Sequence, residues 1–559
     1  MSVAFLGLAG VAVAASSISA ASNSTSISAA ANSTSAAAKN IVFIVADDLG
    51  FNDVSFHGST QIPTPAIDEL AATGLTLDNY HAQPVCSPTR ASILSGRHAI
   101  HHGIYMPFGS AELRLNLTYT LLPGYLKRLG YETHAVGKWH IGENVLAALP
   151  TGRGFDSYYG YWGGAEDYYT HSTGYHANGE PVYDFADGTR TCFEANNTYS
   201  TYLLAARAVE IIETAGAAPF FMYLAFQNVH WPLQAPQQYL DRFANATGGD
   251  AARQAVAAMA SILDDGVRNV TDALKARGIW ESTLLVFVAD NGGPTNGDEG
   301  TASNNFPMRG GKNTLWEGGT RVVGVVRGAG VGPSLRGTTS RAPIHAVDWM
   351  RTLLHFASDG APLAPPAAEP PYLDGDGVNV WETLATGKAV RTELLLECHP
   401  PDGGAARGGA ALRRWGYRYD GADLPAADGL SVHGNALIIG DWKYVQLGPT
   451  RRDEEAGWHP PPGQDAATTK YTLGCDLAQQ PTTINVTAQC IDAPCLFHVA
   501  DDPCEYHDRA KAHPQIVARL EARLAELQAT AVPPVKPDGC DALTVDGALR
   551  PCDAPDPGE

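Results

Sequence analysis

The sequence predicts an α/β fold with a large, mostly parallel central sheet flanked by helices, and three segments carry that prediction. "NIVFIVADDLG" (40–50), "APFFMYLAFQNVH" (218–230) and "STLLVFVADNGG" (282–293) share one design, an apolar run closed by polar residues. Each run is short, rich in β-branched or aromatic residues and apolar throughout, as strands covered on both faces are. Between them lie helical stretches, "TYTLLPGYLKRLG" (118–130) and "STYLLAARAVEIIETAG" (200–216). Strands alternating with helices build a parallel sheet. Sites in such sheets form beyond the carboxyl ends of the strands. That rule gathers Asp47, Asp48, His230, Asp290 and Asn291 toward one place.

A chain of 559 residues exceeds what one hydrophobic core organises, so a large domain and a smaller one are expected. Residues 1–21 read as a secretory signal peptide, because "VAFLGLAGVAVAA" is too short to span a bilayer and is followed by small residues. Residues 22–38 are Ala/Ser/Asn/Thr low complexity and read as a linker. The catalytic-size domain is expected over 39–390, and a smaller domain with a cysteine-rich tail over 391–559. In the latter, "ALIIGDWKYVQL" (436–447) reads as a hairpin with a Gly-Asp turn, and "HPQIVARLEARLAELQA" (513–529) as a helix packed on a small sheet.

The net charge of −21 argues against nucleic-acid or anionic-membrane partners, and no later segment offers a membrane-spanning run. Asn-X-Ser/Thr sequons at Asn23, Asn32, Asn116, Asn196, Asn245, Asn269 and Asn485 fit a glycoprotein of the secretory pathway, secreted or lysosomal. Nine cysteines are an odd number for an oxidising compartment. With Cys86 set apart, eight remain, enough for as many as four bridges of undecided pairing. No spacing among them repeats a paired zinc-ligand pattern.

Three groups of residues carry chemistry. "ADDLG" and "ADNGG" place hard oxygen ligands at strand ends, suited to Ca²⁺ or Mg²⁺, although the same residues also end strands as plain turns. "LDGDGVN" (373–379) starts like a calcium loop but has Val378 where an oxygen ligand is required, and is set aside. "CSPTR" (86–90) starts a helix, with Pro88 in its first turn. Backbone N–H groups and positive potential there favour a thiolate or a bound anion; the plain alternative is a bridged or buried structural cysteine. "GKWHIG" (137–142), "NVHWPLQAP" (228–236) and "RGGKNTLWEGG" (309–319) bring Lys138, His140, His230 and Lys312 as cations or proton donors. His98, His101 and His102 follow a helix end, where a surface or dipole-stabilising role is expected.

Cys86-Ser-Pro88-Thr-Arg90, with "SILSGR" behind it, resembles the Cys-X-Pro-X-Arg motif of type I sulfatases. "ADD", "GKWH", "VH-PL" and "ADNGG" follow in that family's order and spacing. "GGAEDYYTH", "LWEGG", "GWHPPPGQ" and "DDPCEYHD" look like its arylsulfatase B, or N-acetylgalactosamine-4-sulfatase, branch, and the likeness runs from residue 40 to about 550.

The resemblance implies an alkaline-phosphatase-like sandwich, with an antiparallel sheet and a helix in the smaller domain. It implies release of sulfate from a sulfated sugar or an aryl sulfate. Cys86 would be converted to formylglycine by a formylglycine-generating enzyme, and hydrated to a gem-diol whose second hydroxyl expels sulfate from the intermediate. Asp47, Asp48, Asp290 and Asn291 look like the ligands of one Ca²⁺, with the converted Cys86 also touching it. Arg90 resembles the residue that orients the diol, Asp290 the base, and Lys138 and Lys312 the partners of the sulfate oxygens. His230 with Lys312 would protonate the leaving oxygen, and His140 would take the later proton. Tyr168, Tyr169 and His171 look like sugar-side contacts. Asn228 stands where the family pattern has Ser, so a sulfate contact is expected to differ there. Two alternatives stay open: a sulfated-glycan-binding protein with unmodified Cys86, and a phosphate or phosphonate ester hydrolase on the same scaffold.

Overall fold

The computed structural model describes residues 39–107, 113–173, 181–295, 301–363, 375–398, 434–448, 457–465, 469–481, 489–535, 543–545 and 547–554. The expected leader and linker, Asn23, Asn32, Asn485 and Cys540 lie outside the described residues.

Ten strands form the main sheet, in the order Thr338–Ser340, Leu75–Leu77, Gly324–Gly328, Thr283–Ala289, Asn40–Ala46, Phe220–Phe226, Glu132–Gly137, Ser157–Gly160, Ala186–Asp187 and Arg190–Thr191. The centre, from Thr283–Ala289 to Ser157–Gly160, is parallel, with Ile44 between Leu224 and Phe287. Antiparallel strands flank it on both sides. Every residue of Asn40–Ala46, Phe220–Phe226 and Thr283–Ala289 is buried, which is why those runs show no polar alternation. The sheet is therefore the mixed, mostly parallel one that the sequence predicts.

Helices Ser200–Thr214 and Ala251–Ala276 pack on each other beside the sheet. The second is 26 residues long and was not singled out in the sequence. Its Ala-rich run is interrupted by Asp264, Asp265 and Arg268, yet Val256, Met259, Leu263, Val267, Val270 and Leu274 recur at helical spacing and are all buried. The Asp250 carboxylate caps it, accepting from the Arg253 N–H at 2.8 Å. The expected helix over 118–130 is shorter, Leu122–Arg128, and starts at the turn carrying Pro123.

A second, antiparallel sheet holds Glu393–Glu397, Gly434–Ile439, Trp442–Leu447 and Cys495–His498, with Gly440 and Asp441 turning the hairpin. Its strands alternate. Leu395, Leu437, Tyr444 and Leu496 pack with Leu520 and Leu524 of the helix Pro514–Gln528. The other face, with Leu394, Leu396, Ile438, Val445 and Phe497, packs on Leu315 and Trp316. Lys443 reaches the same loop, with its ammonium 2.9 Å from Glu317 and 2.8 Å from Glu505, all three buried. The small sheet thus props the loop that carries Lys312.

Two expectations need correcting. Bridges join Cys475 to Cys504 and Cys490 to Cys495, while Cys86, Cys192 and Cys398 are all buried thiols. Setting only Cys86 apart was too simple, since Cys192 and Cys398 end strands of different sheets and are shielded by burial instead of by pairing. His98 and His102 are buried, not on the surface. Asp376, from the discarded calcium-like loop, accepts from the His98 N–H and pairs with His101 Nδ1, both at 2.7 Å. The loop therefore holds the turn that follows the Cys86 helix. No helix among the described residues is long and apolar enough to cross a membrane.

His57 offers a test of the packing around the first strand's loop. Its ring stacks on Phe51 with centroids 3.7 Å apart, and Nδ1 donates to the Phe51 carbonyl at 2.8 Å. Burial pushes the imidazole from 6.5 down to about 3; the Phe51 bond opposes this and Arg321 adds to it. A depressed folded value means stability is present above pH 6.5 and is lost as pH falls toward 3. His57→Gln should be less stable than the parent at neutral pH, with the gap closing by about 2 kcal/mol between pH 7 and pH 5. Urea denaturation at both pH values reads this, and a constant gap would contradict it.

Candidate active site

Four loops leave the carboxyl ends of adjacent parallel strands, and backbone hydrogen bonds continue past the strands to lock them together. The Asp47 N–H donates to Asn228 O at 3.1 Å and Val229 N–H to Asp47 O at 2.6 Å. Lys138 N–H donates to Ala225 O at 2.9 Å, and Asp290 N–H to Ala46 O at 3.1 Å. Cys86 is the first residue of the helix Cys86–Ser95, all ten residues of which are buried. Ligand atoms of Asp47, Cys86 and Asp290 lie within 4.8 Å of one another, as do those of Asp47, Asp48 and His230.

Three buried carboxylates meet three buried cations here. Lys138 Nζ lies 2.6 Å from Asp47 Oδ2, and Lys312 Nζ 2.9 Å from Asp48 Oδ2. Arg90 donates to Asp290 Oδ2 through Nη2 at 2.7 Å and Nε at 3.1 Å, and its Nη2 is 3.6 Å from Asp47. His230 Nδ1 donates to the Trp231 carbonyl at 2.7 Å, which turns Nε2 toward Asp48, 3.7 Å from its Oδ2. Lone charges could not stay ionised at such depth; the pairing is what holds them.

Of the two readings the sequence left open for Cys86, the helix start does not outweigh burial to favour a thiolate. Burial pushes its thiol up to about 11; Lys138 and Lys312 oppose this, while Asp47 and Asp290 reinforce it. The same balance acts on Asp290, raised by burial and by Asp47 against the pull of Arg90, Lys138 and Lys312. As a plain thiol, Cys86 would be protonated at neutral pH and a weak nucleophile.

The oxygen set fits a hard cation. Asp47 Oδ1 and Asn291 Oδ1 are buried without a hydrogen-bond partner. Asn291 Nδ2 donates to Asp48 Oδ1 at 2.7 Å and to Gly292 O at 3.0 Å, so its amide oxygen is left for another electrophile. Carboxylate and amide oxygens together suit Ca²⁺ or Mg²⁺.

Two glycines make the loops possible. A methyl group on Gly292 would stand 1.7 Å from the Gly318 carbonyl oxygen, and one on Gly164 2.7 Å from His140 Nε2. The second contact explains the second glycine of "YWGGAED": the His140 ring lies against bare backbone.

A family model described as Sulfatase matches residues 39–359, more than half of the chain. The chain belongs to the sulfatase family. Arylsulfatase J of Mus musculus is 34% identical over 515 residues, which cover 88% of this chain and 76% of that relative. N-acetylgalactosamine-6-sulfatase of Mus musculus is 31% identical over 298 residues, 50% of this chain and 56% of the relative. Among solved structures, Ps i-CgsB in complex with k-i-k-neocarrahexaose superposes with a TM-score of 0.67 at 25% identity, covering 89% of this chain and 94% of that one. The chain is thus a sulfuric ester hydrolase, and the phosphoesterase and binding-protein alternatives are not favoured.

The structure of this sulfatase bears on three details of the sequence-based site. The Asn228 amide donates to Met259 O at 2.9 Å and accepts from Thr201, so this side chain faces the helices and is spent there. Tyr168 is wholly buried, and its hydroxyl donates to the His230 carbonyl at 3.0 Å. His171 is also buried, with Nδ1 at Glu166 (3.1 Å) and Nε2 at Ala195 O (3.0 Å). Tyr168 and His171 therefore brace the wall behind His230; of the three, only Tyr169 is part-exposed.

Other positioning residues went unseen in the sequence. Asn305 accepts from Gly293 N–H at 2.9 Å and donates to Gly293 O at 2.7 Å and Gly310 O at 3.2 Å, tying the Asp290 and Lys312 loops together. Ser303 Oγ donates to Asp48 O at 2.8 Å. Asp184 accepts from the Trp162 and Gly163 N–H groups at 2.9 and 2.8 Å, beneath the segment that touches His140. A run such as "TASNNFP" has no periodicity, so only its richness in amides could have marked it.

Arg90→Met tests the charge balance. Removing the guanidinium strands Asp290 in a buried site and should cost about 3–5 kcal/mol. Chemical denaturation would read the loss, and a change below about 1 kcal/mol would show the pairing to be dispensable.

Proposed function

We propose that this sulfatase removes sulfate from a sugar sulfate ester, with Cys86 matured to formylglycine by a formylglycine-generating enzyme and one Ca²⁺ held by Asp47, Asp48, Asp290 and Asn291. The observation that carries the reading is the setting of Cys86: buried at a helix start, among two carboxylates and two ammonium groups, with burial pushing its thiol up. Such a site makes chemical sense if the residue is not used as a thiol. Formylglycine supplies, once hydrated, an oxygen nucleophile and a second hydroxyl able to expel sulfate. A bound Ca²⁺ would supply positive charge beside the nucleophile and the sulfate. The unpartnered Asp47 and Asn291 oxygens support its place.

The chain's own groups then divide the work. Arg90 holds Asp290 through two N–H bonds, and its charge opposes the burial that raises this carboxyl, favouring the form that accepts the proton of the attacking hydroxyl. Lys138 and Lys312, poised on Asp47 and Asp48, turn part of their charge to the sulfate oxygens as these gain negative charge. His230, fixed by its Nδ1 bond, carries the leaving-group proton on Nε2. His140, against Gly164, is the group that takes a proton when the second hydroxyl collapses. A positive pocket of this kind lets a chain of net charge −21 bind an anionic ester. Asn116, Asn196, Asn245 and Asn269 are all exposed, which supports glycosylation and a secretory route, to the exterior or to the lysosome.

The decisive measurement is the mass of the Cys86 peptide from the native host, together with sulfate release. A formylglycine mass is expected, and Cys86→Ala should lower kcat by about a thousandfold or more. An unmodified thiol in fully active protein would refute the mechanism. Chelation with EGTA should abolish turnover and lower the thermal midpoint, with Ca²⁺ restoring both. His230→Asn should cost about 10²–10⁴ in kcat on a sugar sulfate, and much less on 4-nitrophenyl sulfate, whose leaving group needs no proton. Equal losses on both would remove His230 from the acid's role.

A further inference from the structure

Beside the His230 loop lies a hollow of about 480 Å³ that the reaction does not use. Its aromatic residues are Tyr169, Tyr199 and Tyr202, and its polar ones include Asn197, Gln237 and Gln238. None of its lining residues is charged. Tyr202 is 40% exposed, one of three large apolar side chains this open among the described residues. Its ring sits 5.4 Å from Tyr199, and Tyr169 meets Tyr199 edge-on at 5.2 Å.

This surface is built rigidly and joined to the reacting centre. Tyr199 is fixed by its hydroxyl, which donates to Gln234 O at 2.8 Å, and by stacking on Tyr168 at 5.1 Å. Tyr168 in turn holds the His230 carbonyl. The Tyr169 carbonyl accepts from Asn197 N–H at 2.8 Å, so the two loops of the hollow are stitched to each other. Six residues separate His230 from Pro236 at the hollow's rim, which bounds the distance between their Cα atoms at about 22 Å. Any separation within that bound is inside the reach of a few sugar rings.

We propose that the Tyr169–Tyr199–Tyr202 hollow is a subsite for an uncharged ring of an extended saccharide, on the leaving-group side of the reacting sulfate. A pyranose has a C–H face that packs on an aromatic ring and a rim of hydroxyls that amides bind. A second sulfate would find no cation here, in a molecule of net charge −21. The proposal rests on the sugar-sulfatase reading above and narrows it: the substrate is an oligosaccharide or polymer, and the ring in the hollow carries no sulfate.

The test compares kcat/KM on 4-nitrophenyl sulfate, and on sulfated disaccharides and hexasaccharides of carrageenan and chondroitin, for the mature enzyme, Tyr202→Ala and Tyr202→Phe. Each is also made with Asn196→Gln, because a glycan on Asn196 would be the hollow's nearest other sugar. Tyr202→Ala should lower the ratio of hexasaccharide to aryl sulfate kcat/KM by about tenfold, mostly through KM, with the disaccharide ratio moving far less. Tyr202→Phe, which keeps the ring, should restore it. A hexasaccharide loss no larger than the disaccharide loss would overturn the subsite. So would an effect that disappears with Asn196→Gln, since the hollow would then seat the protein's own glycan. Hydrolysis of the aryl sulfate with neither saccharide length cleaved would also overturn it. Parent enzyme inactive on every sulfate ester would instead refute the hydrolase reading beneath it.

Discussion

Three carboxylates buried at the ends of parallel strands are the constraint around which this sulfatase is arranged. Asp47, Asp48 and Asp290 are each wholly out of water, where an unpaired charge is costly. Arg90, Lys138 and Lys312 answer them one for one, so the Cys86 helix, the Lys138 loop and the Lys312 loop are each anchored by an ion pair to the strand ends. The pairing explains why Arg90, also wholly buried, is tolerated inside a helix whose other residues are apolar or small. It also couples stability to chemistry, since the groups that serve the reaction are the ones that neutralise the site.

The smaller antiparallel sheet finds its purpose in the same constraint. Its alternation gives one face to a covering helix and the other to Leu315 and Trp316. Lys443 adds a buried charge pair to Glu317, which follows those residues. The Lys312 loop is glycine-rich and could not hold its shape unaided. It is held from one side by the second sheet and from the other by Asn305 and the Asp48 carboxylate.

On the far wall, what the sequence suggested as a sugar-binding segment divides by depth. Tyr168 and His171 are inner braces; Tyr169, between them, opens to solvent with Tyr202, over the buried Tyr199. The wall thus transmits order from the hollow to His230 through hydroxyl-to-carbonyl bonds, with Asp167 holding Gln234 and the Tyr169 N–H.

The sequence by itself determined the central strands, the parallel sheet, the strand-end carboxylates and the cysteine at a helix start, because burial on both faces and turn-forming strand ends leave local patterns. The hairpin and helix of the second sheet were legible for the same reason. The long helix Ala251–Ala276 was hidden by the charges within its alanine-rich run. Only the tertiary structure decided which cation meets which carboxylate: Arg90 and Asp290 are 200 residues apart, and Lys312 and Asp48 are 264 apart. It also turned Asn228 away to Met259 and Thr201, left Cys192 and Cys398 as thiols, and sank His171. Local pattern reports whether a residue is buried and where a strand stops. Which partner satisfies a buried polar group depends on loops that meet only in the folded chain, and no spacing in the sequence records that meeting.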